Sequence, residues 1–413
     1  MEKLYAPTLP ENRIQSIDVL RGMAIFGILM VNMPIMNTPM VTLLSDVKLW
    51  TELPDQVASG FIRLLFESKF YVLFSMLFGY GFWLFMNKKM PEGRSVVPVY
   101  LRRVFFLLLF GIAHVVLLWP GDILIFYALF GFLLLLFRKT TDGGLLKWAL
   151  GFIMVPVTLN AIMTFFVFLA GFSPEAKTAV EASFAENSNR LSEVIYRALE
   201  IYPNGSFQEL VNMRMEEYGI LLPGIVFFYP NVLAMFLLGQ YAARKGYLHH
   251  PENHLPFFRK LFNLGLLIGL PLNVIYLIVF SLGQLNQPSV YSFIASVSIG
   301  FGGPALSMAY VSGIVLLMSR GKLKIFAAML SPVGRMALTN YLTHSIISSI
   351  LFLSYGFALY GKVSTWQSIL ITLAIFLIQI PVSKWWLSRF RFGPFEWLWR
   401  SLTYLKWQPM KKE

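Results

Sequence analysis

The chain has no cysteine among its 413 residues. That excludes disulfides, thiol nucleophiles and cysteine-ligated metals. Charge is also scarce. Asp, Glu, Lys and Arg together make up 13%, roughly half of what an ordinary soluble domain carries. There are only five histidines. Three of them, His249, His250 and His254, crowd one hydrophilic stretch, and no metal site is expected from them. The abundant residues are apolar: 57% of the chain is hydrophobic and its mean hydropathy is positive. One water-facing fold cannot hide that much apolar surface, so the sequence reads as a membrane protein. The run Ile17–Met36 is longer than a secretory signal core and no small-residue cleavage site follows it, so it is expected to stay as a span.

A helical span needs about 20 mostly apolar residues. The expected fold is all-α and polytopic, with spans near 17–36, 69–86, 104–119, 121–137, 145–171, 220–243, 261–282, 292–319, 333–354 and 366–387. Basic residues between these spans alternate in density. Twenty-four Lys and Arg fall on one side, including Lys3, Arg13, Lys88, Lys89, Arg94, Arg102 and Arg103, against eight on the other. The positive-inside rule then puts both termini in the cytoplasm. The net charge of +13 therefore reflects membrane orientation, and no nucleic-acid partner is expected.

Residues 1–171 form a first five-helix half and 220–413 a second. Between them, residues 172–219 carry eight glutamates and read as an outer segment, either a solvated connector or a lid over an outward-facing site. Ser173-Pro174 marks a helix start, and Ser16 is a candidate cap for the first span. The tail, with Trp385, Trp386, Trp397, Trp399 and Trp407 among Arg and Lys, reads as an interfacial helix on an anionic leaflet. Glu396 and Arg400 are spaced to pair on that helix.

Ionisable and polar groups inside spans are costly, which makes them functional candidates. Arg21 and Asn32 are eleven residues apart in the first span. Arg103 and His114 repeat the interval in the third, which runs in the same direction. Eleven residues make nearly three turns, so each pair shares a helix face with about 16 Å between its members. Each arginine sits at the cytoplasmic end, with the polar group toward the far leaflet. Asp122, at the outer mouth, is placed to orient His114 or take its proton. Asn340 and His344 lie four apart on one face of the ninth span, with Arg335 at its inner end. This set also fits simple polar glue between helices.

Several motifs resemble the YeiB family of bacterial membrane proteins. They are Asp18-x-x-Arg21-Gly22-x-Ala24 with Val31-Asn32, Leu73-Phe74-Ser75-x-Leu77-Phe78-Gly79-x-Gly81, and Arg102-Arg103…Gly111-x-x-His114. Further matches are Gly121-Asp122-Ile123-Leu124-x-x-Tyr127, Arg335 to Tyr341, and Phe390 to Arg400. The first half is also similar to the heparan-alpha-glucosaminide N-acetyltransferases and, more distantly, to the acyltransferase-three membrane proteins. Those families move an acyl group, usually from cytosolic coenzyme A, to an acceptor beyond the membrane. The acyltransferase-three pattern has a functional histidine where this chain has Asn32. Asparagine is not a base, so that role falls to His114 or His344.

The resemblance implies an acyl-coenzyme A donor with no metal, held through its phosphates by Arg21, Arg102 and Arg103. Asp18, Arg335 and Asn340 complete the expected donor site. His114 acts as base, supported by Asp122, and Asn32 polarises the thioester carbonyl. Membrane lipids and a small-molecule or glycan acceptor are the expected partners, in the inner membrane of a bacterium. A homodimer is one permitted assembly. The rival reading is a transporter or exporter of a small solute or lipid.

Overall fold

The computed structural model describes residues 14–88, 95–224, 227, 229–283 and 285–412. Lys3, Arg13, Lys89 and Arg94, four of the cations used for orientation, lie outside the described residues. The first half holds α1 (Gln15–Met36), α2 (Leu53–Leu65), α3 (Phe70–Met86), α4 (Val97–Leu117), α5 (Leu124–Leu134) and α6 (Asp142–Ala170). Two polar helices follow, α7 (Pro174–Asn204) and α8 (Phe207–Leu221). The second half holds α9 (Pro230–Arg244), α10 (Leu255–Leu282), α11 (Val290–Val297), α12 (Gly303–Ser319), α13 (Lys324–Arg335), α14 (Ala337–Phe352), α15 (Thr365–Arg389) and α16 (Pro394–Tyr404). Among the described residues the only β pairing is a bridge between Phe390 and Lys411. The protein is an all-α, polytopic membrane protein.

Six of the expected spans are helices long and apolar enough to cross a bilayer: α1, α4, α6, α10, α15 and the continuous α11–α12. A π-helical turn at Ser298–Gly302 joins the last two. The other four are shorter. α3 has 17 residues, α9 has 15 and α14 has 16, while α5 has 11 and continues into a 3₁₀ turn at Leu135–Phe137. At 1.5 Å per residue these reach about 25 Å or less, short of the roughly 30 Å of a hydrocarbon core. Local chemistry explains two of the shortened spans. Pro230 is the first residue of α9, the position where its missing N–H costs no helical hydrogen bond. Met336, with φ −110° and ψ 34°, breaks 333–354 into the end of α13 and the start of α14.

Helices of the two halves interleave, and glycines set how closely they approach. A Cβ on Gly79 of α3 would lie 1.9 Å from the carbonyl oxygen of Phe236, and one on Gly239 of α9 would lie 1.9 Å from that of Met76. Likewise Gly22 of α1 faces the Leu330 carbonyl and Gly334 of α13 faces the Asp18 carbonyl, at 2.3 and 1.8 Å. Such backbone-to-backbone contact is how helices gain packing energy in lipid, where no hydrophobic force draws them together. α1 is the central helix, with 61% of its apolar stretch buried, whereas α6, at 17%, turns most of its surface outward.

The segment expected outside the membrane is more regular than its composition suggests. Ser173 does cap α7, accepting from the Ala176 amide, with Pro174 next in line. Ser206 and Glu209 form a reciprocal capping box at the start of α8. Two local expectations fail. Ser16 does not cap α1; its hydroxyl donates to the Leu248 carbonyl at 3.3 Å. Glu396 is not the ion-pair partner of Arg400. It is turned inward, where it accepts from the amides of Leu338 and Thr339 at 2.6 and 3.1 Å and from the Thr339 hydroxyl. A carboxylate with three donors at a helix start outcompetes a solvent-exposed pair.

Candidate active site

α4 ends in a turn that exposes its last polar residue to three partners. His114 is 2% exposed. Its Nδ1 lies 2.8 Å from Asp122 Oδ2, and its Nε2 lies 2.8 Å from Ser345 Oγ. The other oxygen of Asp122 accepts from the Ile125 amide at 2.7 Å, in the first turn of α5. A carboxylate only accepts, so Nδ1 is the nitrogen that donates to Asp122, and in the neutral tautomer this leaves Nε2 to accept from the serine hydroxyl. Asp122, His114 and Ser345 thus form one hydrogen-bonded chain across α5, α4 and α14, with the polarity of a nucleophile, a base and an orienting acid.

The motif Gly111-x-x-His114 has a steric reason. A Cβ on Gly111 would stand 2.6 Å from the Ile125 amide nitrogen and 3.0 Å from Asp122 Oδ1. Glycine one turn before His114 therefore lets the start of α5 lie against α4, which brings the carboxylate under the imidazole. The Tyr341 ring, centred 5.4 Å from that of His114, packs on its flank.

Ser345 opens onto a constricted cleft with a cavity volume of only about 20 Å³, little more than room for one water before its walls move. Ser348 and Ser349 line it from α14, Met36 and Trp119 from the ends of the bundle, and Tyr202, Arg214 and Glu217 from α7 and α8. The polar helices α7 and α8 thus roof the cleft. Glu217 is buried and accepts from the Tyr202 hydroxyl and, at 3.4 Å, from the Val41 amide. Burial pushes its carboxyl up to about 7 against these donors.

At the opposite end of the bundle, cations gather. Arg21 lies 3.5 Å from Asp18. The Arg103 guanidinium stacks 3.7 Å over the Trp399 ring, while the indole N–H donates to the Arg103 carbonyl at 2.8 Å. Arg21 and Arg400 are within electrostatic reach of Arg103, and both Arg103 and Arg400 are within reach of Lys88. Arg102 is half-buried, with an Nε that has no hydrogen-bond partner. Arg335 shares this end, because its neighbour Gly334 rests on Asp18. Arg103 and His114, on one helix face, stand about 16 Å apart along α4.

Other predicted residues lie apart from the Asp122–His114–Ser345 chain. His344 Nε2 meets Gln379 Oε1 at 2.8 Å, Gln379 donates to the Asn340 carbonyl, and Asn340 donates to Ser383 and to the Val333 carbonyl. These residues form a polar seam between α14 and α15. Asn32 is half-buried and makes no hydrogen bond among the described residues. Its neighbours Met33 and Met36 are the ones that touch α14, at Ser348. Sequence reasoning did not single out Ser345, Arg214, Glu217 or Tyr202. The available sign for Ser345 was a span carrying His344, Ser345, Ser348 and Ser349 together.

A family model described as a protein of unknown function (DUF418) matches residues 242–406. The uncharacterized protein YxaH of Bacillus subtilis is 36% identical over 98% of this chain and 98% of its own length. The uncharacterized protein YeiB of Escherichia coli is 30% identical over 94% and 95%. An uncharacterized 39.9 kDa protein from the amylase 3' region of Bacillus acidopullulyticus is 29% identical over 98% and 99%. No solved structure matches.

Proposed function

We propose that this chain, which belongs to the YeiB family of membrane proteins, is a membrane acyltransferase. In this reading it carries an acyl group, acetyl in the simplest case, from cytosolic coenzyme A to an acceptor at the outer face of a bacterial inner membrane, with both termini cytoplasmic. The observation that carries the proposal is the buried chain from Asp122 through His114 to Ser345, which ends in a cleft. A serine hydroxyl is a weak nucleophile unless an adjacent base takes its proton, and His114 is within reach to do so.

Ser345 Oγ attacks the thioester carbonyl as its proton passes to His114 Nε2. The tetrahedral intermediate collapses, the C–S bond breaks, and His114 returns the proton to the coenzyme A thiolate, leaving an ester on Ser345. An acceptor hydroxyl then attacks that ester and gives its proton to His114. The Ser345 alkoxide departs and takes the proton back. Asp122 stays ionised throughout and stabilises the imidazolium. At the cytoplasmic end Arg21, Arg102 and Arg103 bind the donor phosphates through forked, charge-assisted bonds. The 16 Å between Arg103 and His114 is spanned by the donor's pantetheine arm. Asn340 and His344 hold α14 against α15 in this scheme.

The test uses purified protein and isotope-labelled acetyl-coenzyme A. Wild type is expected to acquire label on Ser345, found by peptide mapping. Ser345→Ala and His114→Ala each lose transfer by about a thousandfold, and the double variant loses little more, because members of one relay act as a unit. Arg21→Ala or Arg103→Ala weakens donor binding. A wild-type protein that neither binds nor is labelled by millimolar donor ends the proposal. In a transporter His114→Ala would alter solute flux or its proton coupling with no labelled serine at any stage.

A further inference from the structure

Among the described residues Arg214 is the largest fully buried side chain, with an exposure of 0%. It lines the cleft from α8. Its Nη1 donates to the Val116 carbonyl at 3.1 Å, two residues beyond His114, which fixes the guanidinium beside the last turn of α4. Its Nη2 is buried and has no hydrogen-bond partner. Among the described residues no carboxylate lies within ion-pair distance of it. Glu217, three residues along the same helix, is committed to Tyr202 and the Val41 amide. Asp122 is held by His114 and the Ile125 amide, and Glu216 pairs with Arg197. An arginine buried without a counter-ion is costly, and an N–H fork with one free arm suits a two-oxygen anion. The hydroxyls of Ser345 and Ser348 share the cleft.

We infer that Arg214 binds an oxyanion carried by the acceptor, a carboxylate or a phosphate, and so holds an acidic acceptor beside Ser345. Naming the bound molecule an acceptor rests on the acyl-transfer reading; the anion site itself does not. It also gives α8 a task beyond roofing the cleft: among the described residues, this helix brings the only cation that lines the cleft, which Ser345 lines as well.

The experiment measures thermal unfolding and direct binding of the full-length protein in detergent micelles. The probes are inorganic phosphate and acetate, with chloride at equal ionic strength as reference. Wild type is expected to be stabilised by at least one of the two. Phosphate alone points to a phosphorylated acceptor, and acetate alone to a carboxylic one. Arg214→Gln should bind that anion at least about 10-fold more weakly, close to 1.4 kcal/mol. Arg214→Lys, which keeps the charge if glutamine impairs folding, should retain a weakened response. Arg197→Gln, at an exposed pair with Glu216 on the same two helices, should leave the response unchanged. If neither anion stabilises wild type, or if Arg214→Gln responds as wild type does, the inference is overturned. No donor is needed, so the anion response survives if acyl transfer fails, and a labelled Ser345 without that response would sink the anion site alone.

Discussion

His344 and Ser345 are neighbours in sequence and serve different partners, because successive residues on a helix point about 100° apart. One bonds Gln379 on α15 and the other His114 on α4. At this scale Glu217 yields a prediction about pH. Its carboxyl, 1% exposed, is shifted by burial from 4.5 to about 7. An acid raised in the folded state keeps its proton after the unfolded chain has released it. Its favourable contribution is therefore present below about pH 4.5 and is lost as pH rises to about 7. Glu217→Gln should flatten this decline when both proteins are melted between about pH 5 and 8. Parallel curves would show that the slope arises elsewhere. His114 and Asp122 were legible in the sequence because ionisable groups in apolar spans are rare. Ser345 was not, because a serine in such a helix usually bonds its own backbone. Arg214 stood among eight glutamates in a polar segment, with nothing local to separate it from solvated charges.

Among the elements, the long apolar runs predicted the long helices well, since 20 residues without charge have few other fates. The method misplaced ends where a proline or a single residue off helical geometry decides, as at Pro230 and Met336. Crossing points were legible only as glycines, without their partners. At the α3–α9 crossing a Cβ on Gly79 would meet the Phe236 carbonyl oxygen at 1.9 Å, so Gly79→Val should cost about 3 kcal/mol or more through overpacking, read as loss of a folded, monodisperse species in detergent. Gly151 of α6 is the contrast. Nothing lies within 4 Å of the place a Cβ would take. Gly151→Ala should be neutral or stabilise by up to about 1 kcal/mol. Equal behaviour of the two variants would show that close approach is not what Gly79 provides.

For the molecule as a whole, the absence of cysteine makes orientation directly testable. Lys177, with a side chain 60% exposed, begins the outer helices, and Lys322 is exposed in the turn between α12 and α13. In intact cells, Lys177→Cys should react with a membrane-impermeant maleimide and Lys322→Cys should react only after permeabilisation. The reverse pattern would invert the molecule and with it the route from donor to acceptor. The interleaving of helices from both halves also means that neither half alone assembles the Asp122–His114–Ser345 chain. The contact at Glu396 extends this beyond the spans. The helix that carries Ser345 starts on a carboxylate supplied by α16. A ribosome that stopped before residue 396 would leave every long apolar segment inserted in the bilayer. It would also leave the serine on a helix whose first turn has lost its anchor. In the acyl-transfer reading, a copy truncated there would occupy the membrane without being armed.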